Sequence, residues 1–340
     1  MTIFSEDIRS QPQALQALAD AYQGGAAAAL LAQITPGVAP LLTGMGASFH
    51  AAAIATLALH QRGVPARAVE ASELVFYSRV LLEAVGDLVF VSQSGASAEV
   101  LPTVELRGPG VRLIGVTNEP ASPLGQHAQL VLPTFADKEQ LVATRTYMNA
   151  IALLWLLVRR YSGQTDGTEH AVLSALAHEL DQQIAQAEAN TAIWFDVLAP
   201  AAHLLCVGHG PHAITARHAA MMLGEWTKIP TFSATIGAFR HGFIESIDDR
   251  SGVVIFSAPG VGAGSAQALA EQLSGYGARV LVVERGHTRR PAAPPHAHAG
   301  DEMLATLYDS IPAQLFAEAL ARERGIPAGF RYIQKVVTTL

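Results

Sequence analysis

The chain has 340 residues, of which half are hydrophobic and 15% are charged, so it is long enough and apolar enough to predict two folded domains. Its formal net charge is −7 and no basic block interrupts it, which argues against nucleic acid or an anionic membrane as a partner. A single cysteine, Cys206, lies in an apolar run, which excludes an intramolecular disulfide and favours a buried structural thiol.

Apolar runs typical of buried strands alternate with helical runs along both halves of the chain. We predict strands at 39–43, 64–69, 87–91, 112–117, 130–133, 203–208, 252–257 and 278–284. We predict helices within the first 35 residues or so and at 49–61, 146–161, 171–197, 213–227 and 311–324. The polar, glycine-bearing stretch 162–170 resembles a linker. The alternation predicts an α/β protein with two tandem, doubly wound parallel-sheet domains at 1–165 and 166–340.

The most informative stretch is residues 88–97, where an apolar strand runs into hydroxyls, an amide and a glycine. Ligands of open α/β sheets bind beyond the carboxyl ends of such strands. Ser92, Ser94 and Ser97 offer hydroxyl donors, Gln93 offers an amide, and Gly95 lets the backbone approach a ligand closely. A helix that begins after this loop would favour a bound phosphate, although a simple helix cap is the alternative.

We predict no metal site and no membrane segment. Two histidines lie two residues apart in the proline-rich stretch 286–300, where solvated loop side chains are favoured over metal ligands. The amino terminus lacks the layout of a signal peptide, and the apolar run 150–158 is too short to cross a bilayer. These features lead us to expect a cytoplasmic protein.

The chain resembles the sugar-isomerase (SIS) family, and the matching motifs occur in order along nearly its whole length. Within this family, the chain resembles the isomerase half of glucosamine-6-phosphate synthase and its stand-alone relatives. The matching segments are 6–12, 44–51, 69–74, 92–99, 142–144, 224–225, 240–242 and 331–338. The resemblance implies two flavodoxin-like SIS domains, a homodimer, a 6-phosphosugar substrate and no cofactor.

The resemblance also implies a binding role for two segments and one further serine. The loop residues would hold the sugar 6-phosphate, and the 142–144 segment would lie along the sugar. For Ser48 and Thr144 a helix-capping role is the alternative. The implied binding residues are Ser48, Ser92, Gln93, Ser94, Ser97, Val142 and Thr144.

Three residues are candidates for catalysis. Glu225 ends an apolar helical stretch, where burial would suit a carboxylate that moves a proton between C1 and C2 of an open-chain sugar. His241 would open the sugar ring and, by the resemblance, would come from the partner subunit. Lys335 in the tail would polarise the substrate carbonyl. An exposed helix-end carboxylate, a loop imidazole and a solvated lysine are the alternatives.

Departures from the family pattern shape the expected reaction. The synthase branch has a lysine where Met222 stands, Ala47 replaces a frequent threonine, and Phe243 replaces a proline. Thr2 follows the first methionine where a glutaminase domain would carry a cysteine, so we expect removal of an amine or isomerisation. We therefore predict deamination with isomerisation of an aminosugar 6-phosphate. A deglycase of fructose–amino acid 6-phosphates and a non-catalytic sugar-phosphate sensor are the alternatives.

Overall fold

The computed structural model describes residues 2–139, 141–296, 300–332 and 334–339. The helices are α1 (Ile3–Arg9), α2 (Gln11–Gln23), α3 (Gly25–Leu31), α4 (Gly46–Gln61), α5 (Ala71–Phe76), α6 (Val100–Leu106), α7 (Pro123–His127), α8 (Arg145–Tyr161), α9 (Glu169–Ala189), α10 (Thr191–Leu198), α11 (Gly210–Thr227), α12 (Ile236–Arg240), α13 (Ala263–Gly275) and α14 (Glu302–Glu323). The strands are β1 (Leu41–Gly44), β2 (Arg67–Ala68), β3 (Asp87–Val91), β4 (Arg112–Thr117), β5 (Leu130–Pro133), β6 (His203–Gly208), β7 (Thr231–Thr235), β8 (Ser251–Ser257), β9 (Arg279–Glu284) and β10 (His287–Arg289). Short 3-10 helices occur at Arg79–Leu82 and Phe243–Ser246.

The chain forms two compact units. The first unit is Ser10–His178 with Arg331–Leu340, and the second unit is Met1–Arg9 with Glu179–Phe330. This division differs from the predicted domains 1–165 and 166–340, because the carboxyl-terminal tail packs in the first unit. One such contact is the hydrogen bond from the Ala98 amide to the Val337 carbonyl, at 3.0 Å.

The first unit contains a five-stranded parallel sheet in the order β2-β1-β3-β4-β5. This is the flavodoxin-like order 2-1-3-4-5, so β1 and β3 are neighbours whose helices leave in different directions. Leu88 and Phe90 pack in one core with side chains of α5, α6 and α7. Because strand side chains alternate, Val89 and Val91 face the opposite side, where α4 and α8 pack. The predicted doubly wound architecture is confirmed.

The second unit repeats this order, as β7-β6-β8-β9-β10, and its last strand is antiparallel. Side chains of β6 and β8 pack against α12 and α13 on one face, and α11 and α14 lie against each other on the opposite face. Cys206 lies in the centre of this sheet and is fully buried, and burial raises the pKa of its thiol to about 12. The predicted buried thiol is therefore confirmed.

Several element bounds differ from the sequence prediction. The predicted helix 171–197 is two helices, α9 and α10, which are separated at Asn190. Helix α14 begins at Glu302 instead of 311 and continues through Pro312. Within the described residues, no helix combines the length and the apolar character needed to span a membrane.

Candidate functional site

The carboxyl ends of β1 and β3 meet at the position where ligands of this sheet order bind. Gly44 is required there, because a Cβ atom on it would lie 2.6 Å from the Val91 carbonyl oxygen. A narrow cleft of about 30 Å³ opens beside this contact. Its lining includes Ala47, Ser48, Gln93, Ala143, Thr146 and Tyr147. Two predicted binding residues, Ser48 and Gln93, therefore line one cleft with the segment that follows Val142.

The loop after β3 turns on Gly95, which has a φ of +59°. A Cβ atom at this position would lie 1.9 Å from the Ser122 hydroxyl oxygen, so no larger residue fits without rearrangement. The Ser92 hydroxyl accepts a hydrogen bond from the Gly95 amide at 3.1 Å, and the Ser94 hydroxyl accepts one from the Ala96 amide at 3.2 Å. These two hydroxyls hold the loop in shape and keep their own protons available for a ligand.

Ser97 differs from its neighbours because its hydroxyl oxygen is buried and has no hydrogen-bond partner among the residues that the structure describes. Helix α6 begins at Val100, and its N-cap residue is Glu99, whose side chain makes no capping bond. The helix-cap alternative for Ser97 is therefore wrong in this structure. An unpaired buried hydroxyl is unfavourable, and an incoming oxyanion would satisfy it.

The segment Val142–Thr144 is almost completely buried and leads into α8. The Thr144 amide and hydroxyl both donate to Glu139 Oε1, at 2.9 and 2.5 Å. Thr144 makes no side-chain cap bond to α8, and Ala143 and Thr146 face the cleft. The predicted sugar contacts of Val142 and Thr144 remain predictions, and the Thr144 hydroxyl donates to a carboxylate within the protein.

Glu139 was not among the predicted site residues. Its side chain is fully buried at the amino end of α8, where a carboxylate is favoured by the free backbone amides and the helix dipole. The sequence feature that could have indicated Glu139 is a carboxylate shortly before a long apolar helix. The five-residue gap to Thr144 does not match the usual capping pattern, so the sequence alone does not single Glu139 out.

The tail brings Lys335 to this same edge of the first sheet. Its ammonium nitrogen lies 2.7 Å from the Leu141 carbonyl oxygen and 3.3 Å from Glu139 Oε2. Only a fifth of the side chain is exposed, so Lys335 is not the solvated terminal lysine of the alternative interpretation. The first unit thus brings together the loop after β3, the start of α8 and the predicted tail cation.

In the second unit, Glu225 lies near the carboxyl end of α11 and is half-buried. The helix ends at Lys228, whose backbone is left-handed with a φ of 59°. The Lys228 ammonium donates to the carbonyl oxygens of Glu225 and Gly329. Met222 is buried, so an apolar side chain precedes the predicted catalytic carboxylate by three residues.

His241 follows α12, which begins at the carboxyl end of β7, whereas Glu225 lies near the amino end of that strand. It is exposed and lines an open pocket of about 450 Å³ with Phe243 and four other residues. Helix α11 ends where β7 begins, and α12 starts where β7 ends. The five residues of β7 separate the two edges by about 16 Å at about 3.3 Å per residue. Within one copy of the second unit, Glu225 and His241 therefore lie at opposite ends of the strands and do not meet.

No cluster of three His, Cys, Asp or Glu side chains within the described residues is arranged to hold a metal ion. In the histidine-rich stretch, His296 stacks on His287 with ring centroids 4.5 Å apart. His298 lies outside the described residues.

Residues 41–160 and 197–321 each match the family model of the SIS domain. The chain belongs to the SIS domain family. Relatives from Zymomonas mobilis and Shouchella clausii, 28% and 29% identical, are named glutamine–fructose-6-phosphate aminotransferase (isomerizing). Each alignment covers 82% of this chain and 48% of the relative, so the chain spans about half the length of these proteins.

Solved structures share the fold of this SIS protein over nearly its full length. Glucosamine-6-phosphate deaminase from Thermotoga maritima has a TM-score of 0.81 and 20% identity, and the match covers 99% of both chains. Tagatose-6-phosphate ketose/aldose isomerase from Escherichia coli has a TM-score of 0.78 and 22% identity, with 98% of this chain and 96% of that chain covered. These likenesses establish the two-unit SIS fold.

Proposed function

We propose that this SIS protein is an enzyme that isomerises and deaminates an aminosugar 6-phosphate, such as glucosamine 6-phosphate, to a ketose phosphate and ammonia. The observation that carries the proposal is the loop after β3, where the buried Ser97 hydroxyl has no hydrogen-bond partner within the described part of the chain. Ser92, Gln93 and Ser94 belong to the same loop. This loop lies at the ligand-binding edge of the first sheet, and its hydroxyl and amide donors suit a phosphate.

The proposed reaction needs only proton transfers and water. The sugar ring opens, and a base removes the C2 proton to give an enolamine, which is then protonated at C1. The resulting C2 imine adds water and releases ammonia, which leaves a ketose phosphate. We assign the C2-to-C1 proton transfer to Glu225 and ring opening to His241. Lys335 would stabilise negative charge that develops on the C1 oxygen.

The names of similar proteins support this class of substrate. The curated relatives carry fructose 6-phosphate in their names, and two proteins of similar fold are named as acting on glucosamine 6-phosphate and tagatose 6-phosphate. The buried Met222 supports loss of an amine over its transfer, because the synthase branch has a lysine at this position.

The proposed enzyme is a homodimer in which His241 of one copy serves the site of the other. The separation of Glu225 and His241 at opposite edges of one sheet supports this arrangement. The exposed Phe243, which begins the 3-10 helix beyond His241 and lines the same pocket, supports a partner surface around the imidazole.

A deglycase that cleaves fructose–amino acid 6-phosphates is the second candidate. Such an adduct carries a protonated secondary amine, which a lysine would repel and the apolar Met222 would not. The same assignments of Glu225 and His241 would apply to this substrate.

A coupled assay with glucosamine 6-phosphate tests the proposal, with ammonia and fructose 6-phosphate measured separately. Release of the two products in equal amounts is the expected result. Binding of glucosamine 6-phosphate without either product would contradict the deaminase assignment, and fructose–amino acid 6-phosphates would then be assayed. Binding of many phosphosugars with no turnover of any would indicate a sensor.

A further inference from the structure

The carboxylate of Glu139 receives hydrogen bonds from two parts of the first unit that are far apart in sequence. Its Oε1 atom accepts from the Thr144 amide and hydroxyl and from the Arg145 amide at 3.1 Å. Its Oε2 atom accepts from the Thr146 hydroxyl and from the Lys335 ammonium at 3.3 Å. The side chain of Glu139 is fully buried. The five donors therefore belong to the start of α8 and to the tail.

This arrangement makes Glu139 a physical link between the cleft and the tail. A buried carboxylate is tolerated only when it is paired and hydrogen-bonded, so each donor becomes part of a single interdependent network. Thr146, which donates to Glu139, also lines the cleft beside Ser48 and Gln93. A shift of the carboxylate would move both the cleft wall and the Lys335 ammonium.

Further hydrogen bonds between described residues also hold the tail. Lys335 donates to the Leu141 carbonyl oxygen at 2.7 Å, and the Ala98 amide donates to the Val337 carbonyl oxygen at 3.0 Å. Ala98 belongs to the loop after β3, so an amide of the candidate phosphate loop is protected by a hydrogen bond to the tail. Its hydrogen exchange rate measures how firmly the tail is held.

We propose that Glu139 is a positioning residue that fixes the Lys335 ammonium at the substrate-binding edge. Its complete burial keeps it from touching substrate, so it acts through Lys335 and the start of α8. The catalytic consequence rests on the proposed function, because Lys335 is the group that would meet the substrate oxygens. The structural consequence, a tail secured by Glu139, does not depend on which substrate is used.

The test compares Glu139→Gln with wild-type protein and with Glu105→Gln, which removes an exposed carboxylate from α6 of the same unit. The glutamine retains the bonds at Oε1 but presents an amide N–H₂ to the Lys335 ammonium and the Thr146 hydroxyl. We expect exchange at the Ala98 amide to rise by about tenfold. We expect kcat to fall by roughly 10²-fold through misplacement of Lys335, with little change in affinity for inorganic phosphate. Glu105→Gln should match wild type.

A second variant, Lys335→Met, breaks the same link from the tail side and leaves the bonds from α8 to Glu139 in place. It should raise exchange at Ala98 as Glu139→Gln does, and the double variant should raise it no further. If both variants fold and neither changes exchange at Ala98, the proposal is overturned. If Glu139→Gln fails to fold, unchanged exchange in Lys335→Met alone would overturn it. If wild-type protein turns over neither candidate substrate, the proposed function fails, while the exchange measurements still decide the role of Glu139.

Discussion

The carboxyl edges of the two sheets have the same strand order and very different residues. In the first unit, the loop after β3 carries three serines and a glutamine around Gly95. In the second unit, the matching loop after β8 is Ala258-Pro259-Gly260-Val261-Gly262, which has no hydroxyl or amide side chain. The architecture is thus repeated, but of these two loops only the one after β3 carries hydroxyl and amide side chains, and this difference is why we propose anion binding there.

Several polar groups at the carboxyl ends of the strands of the second sheet are hydrogen-bonded to each other. His209 follows β6, and its ring nitrogen lies 3.1 Å from the Ser265 hydroxyl. Burial, followed by the nearby Arg240 charge, lowers the pKa of His209. At the end of β9, Glu284 and Arg289 form a buried, two-bond ion pair. These contacts stabilise the carboxyl ends of the second sheet, whereas the buried Ser97 hydroxyl beside the first sheet has no hydrogen-bond partner among the described residues.

Substitution of Glu225 should greatly reduce turnover and leave phosphosugar binding by the first unit unchanged. Glu225→Gln should lower kcat for the deamination by about 10²–10⁴-fold, because the amide cannot act as a general base. Affinity for fructose 6-phosphate, measured by calorimetry, should stay near that of wild type. Near-full turnover by this variant would show that Glu225 is not the base.

A substitution at Glu284 should disrupt its ion pair with Arg289 in the second unit and leave the loop after β3 unchanged. Glu284→Gln leaves a buried guanidinium without its carboxylate and should cost about 3–5 kcal/mol of unfolding free energy, measured by urea titration. The matched control is Asp196→Asn, which disrupts the exposed Asp196–Arg290 pair and should change stability little. Equal stability of Glu284→Gln and wild type would contradict the assigned role of the pair.

The same pair predicts a pH dependence. Burial acts to raise the pKa of Glu284, but hydrogen bonds from Arg289 and the His296 amide outweigh it and hold the pKa below its ordinary value of 4.5. The carboxylate therefore contributes its full stabilisation above pH 4.5, and this contribution is lost as the pH falls through the lower, folded-state pKa. The stability advantage of wild type over Glu284→Gln should shrink on acidification, and an advantage that grows would contradict the sign.

Two matched glycine substitutions compare the loop after β3 with the loop after β8. Gly95→Ala meets both a positive φ and the Ser122 hydroxyl, so it should destabilise by about 1–3 kcal/mol and weaken phosphosugar binding. Gly262→Ala has an ordinary φ of −87° and only a tight contact with His209, so it should cost less than about 1 kcal/mol. Thermal unfolding of both variants measures the difference, and equal losses would remove the distinction.

The smallest expected effect concerns single hydroxyls. Ser97→Ala should lower affinity for fructose 6-phosphate by about tenfold, the worth of one hydrogen bond to a charged group, with little change in stability. Ser265→Ala removes a hydroxyl from the second edge and should leave that affinity unchanged. Calorimetric titration of both variants measures these affinities. An equal loss of affinity in the two variants would show that the Ser97 hydroxyl has no specific role in binding.

The ranges of β3, β4, β5 and β6 match the predicted apolar runs to the residue, and those of β1, β8 and β9 differ by one or two residues at one or both ends. Strands β1, β3 and β8 are buried along their whole length, and a parallel strand covered on both faces is continuously hydrophobic. Strands β7 and β10 were missed, since both lie at an edge of the sheet and are only half-buried or exposed along most of their length. Pro312 within α14 obscured the first part of that helix.

The loop after β3 was predictable because its residue types alone indicate an oxyanion site. Glu139 was not, because its role depends on Lys335, which lies 196 residues away in the sequence. Pattern reasoning detects residues that are close along the chain or periodic within it, and a contact between a loop and a distant tail has neither property.

The most direct test of the account is a crystal structure of the protein with fructose 6-phosphate bound. We predict that the phosphate oxygens lie within hydrogen-bonding distance of the Ser97 hydroxyl and the loop after β3. A phosphate bound instead in the loop after β8, with the first edge empty, would contradict the assignment of anion binding to the first unit.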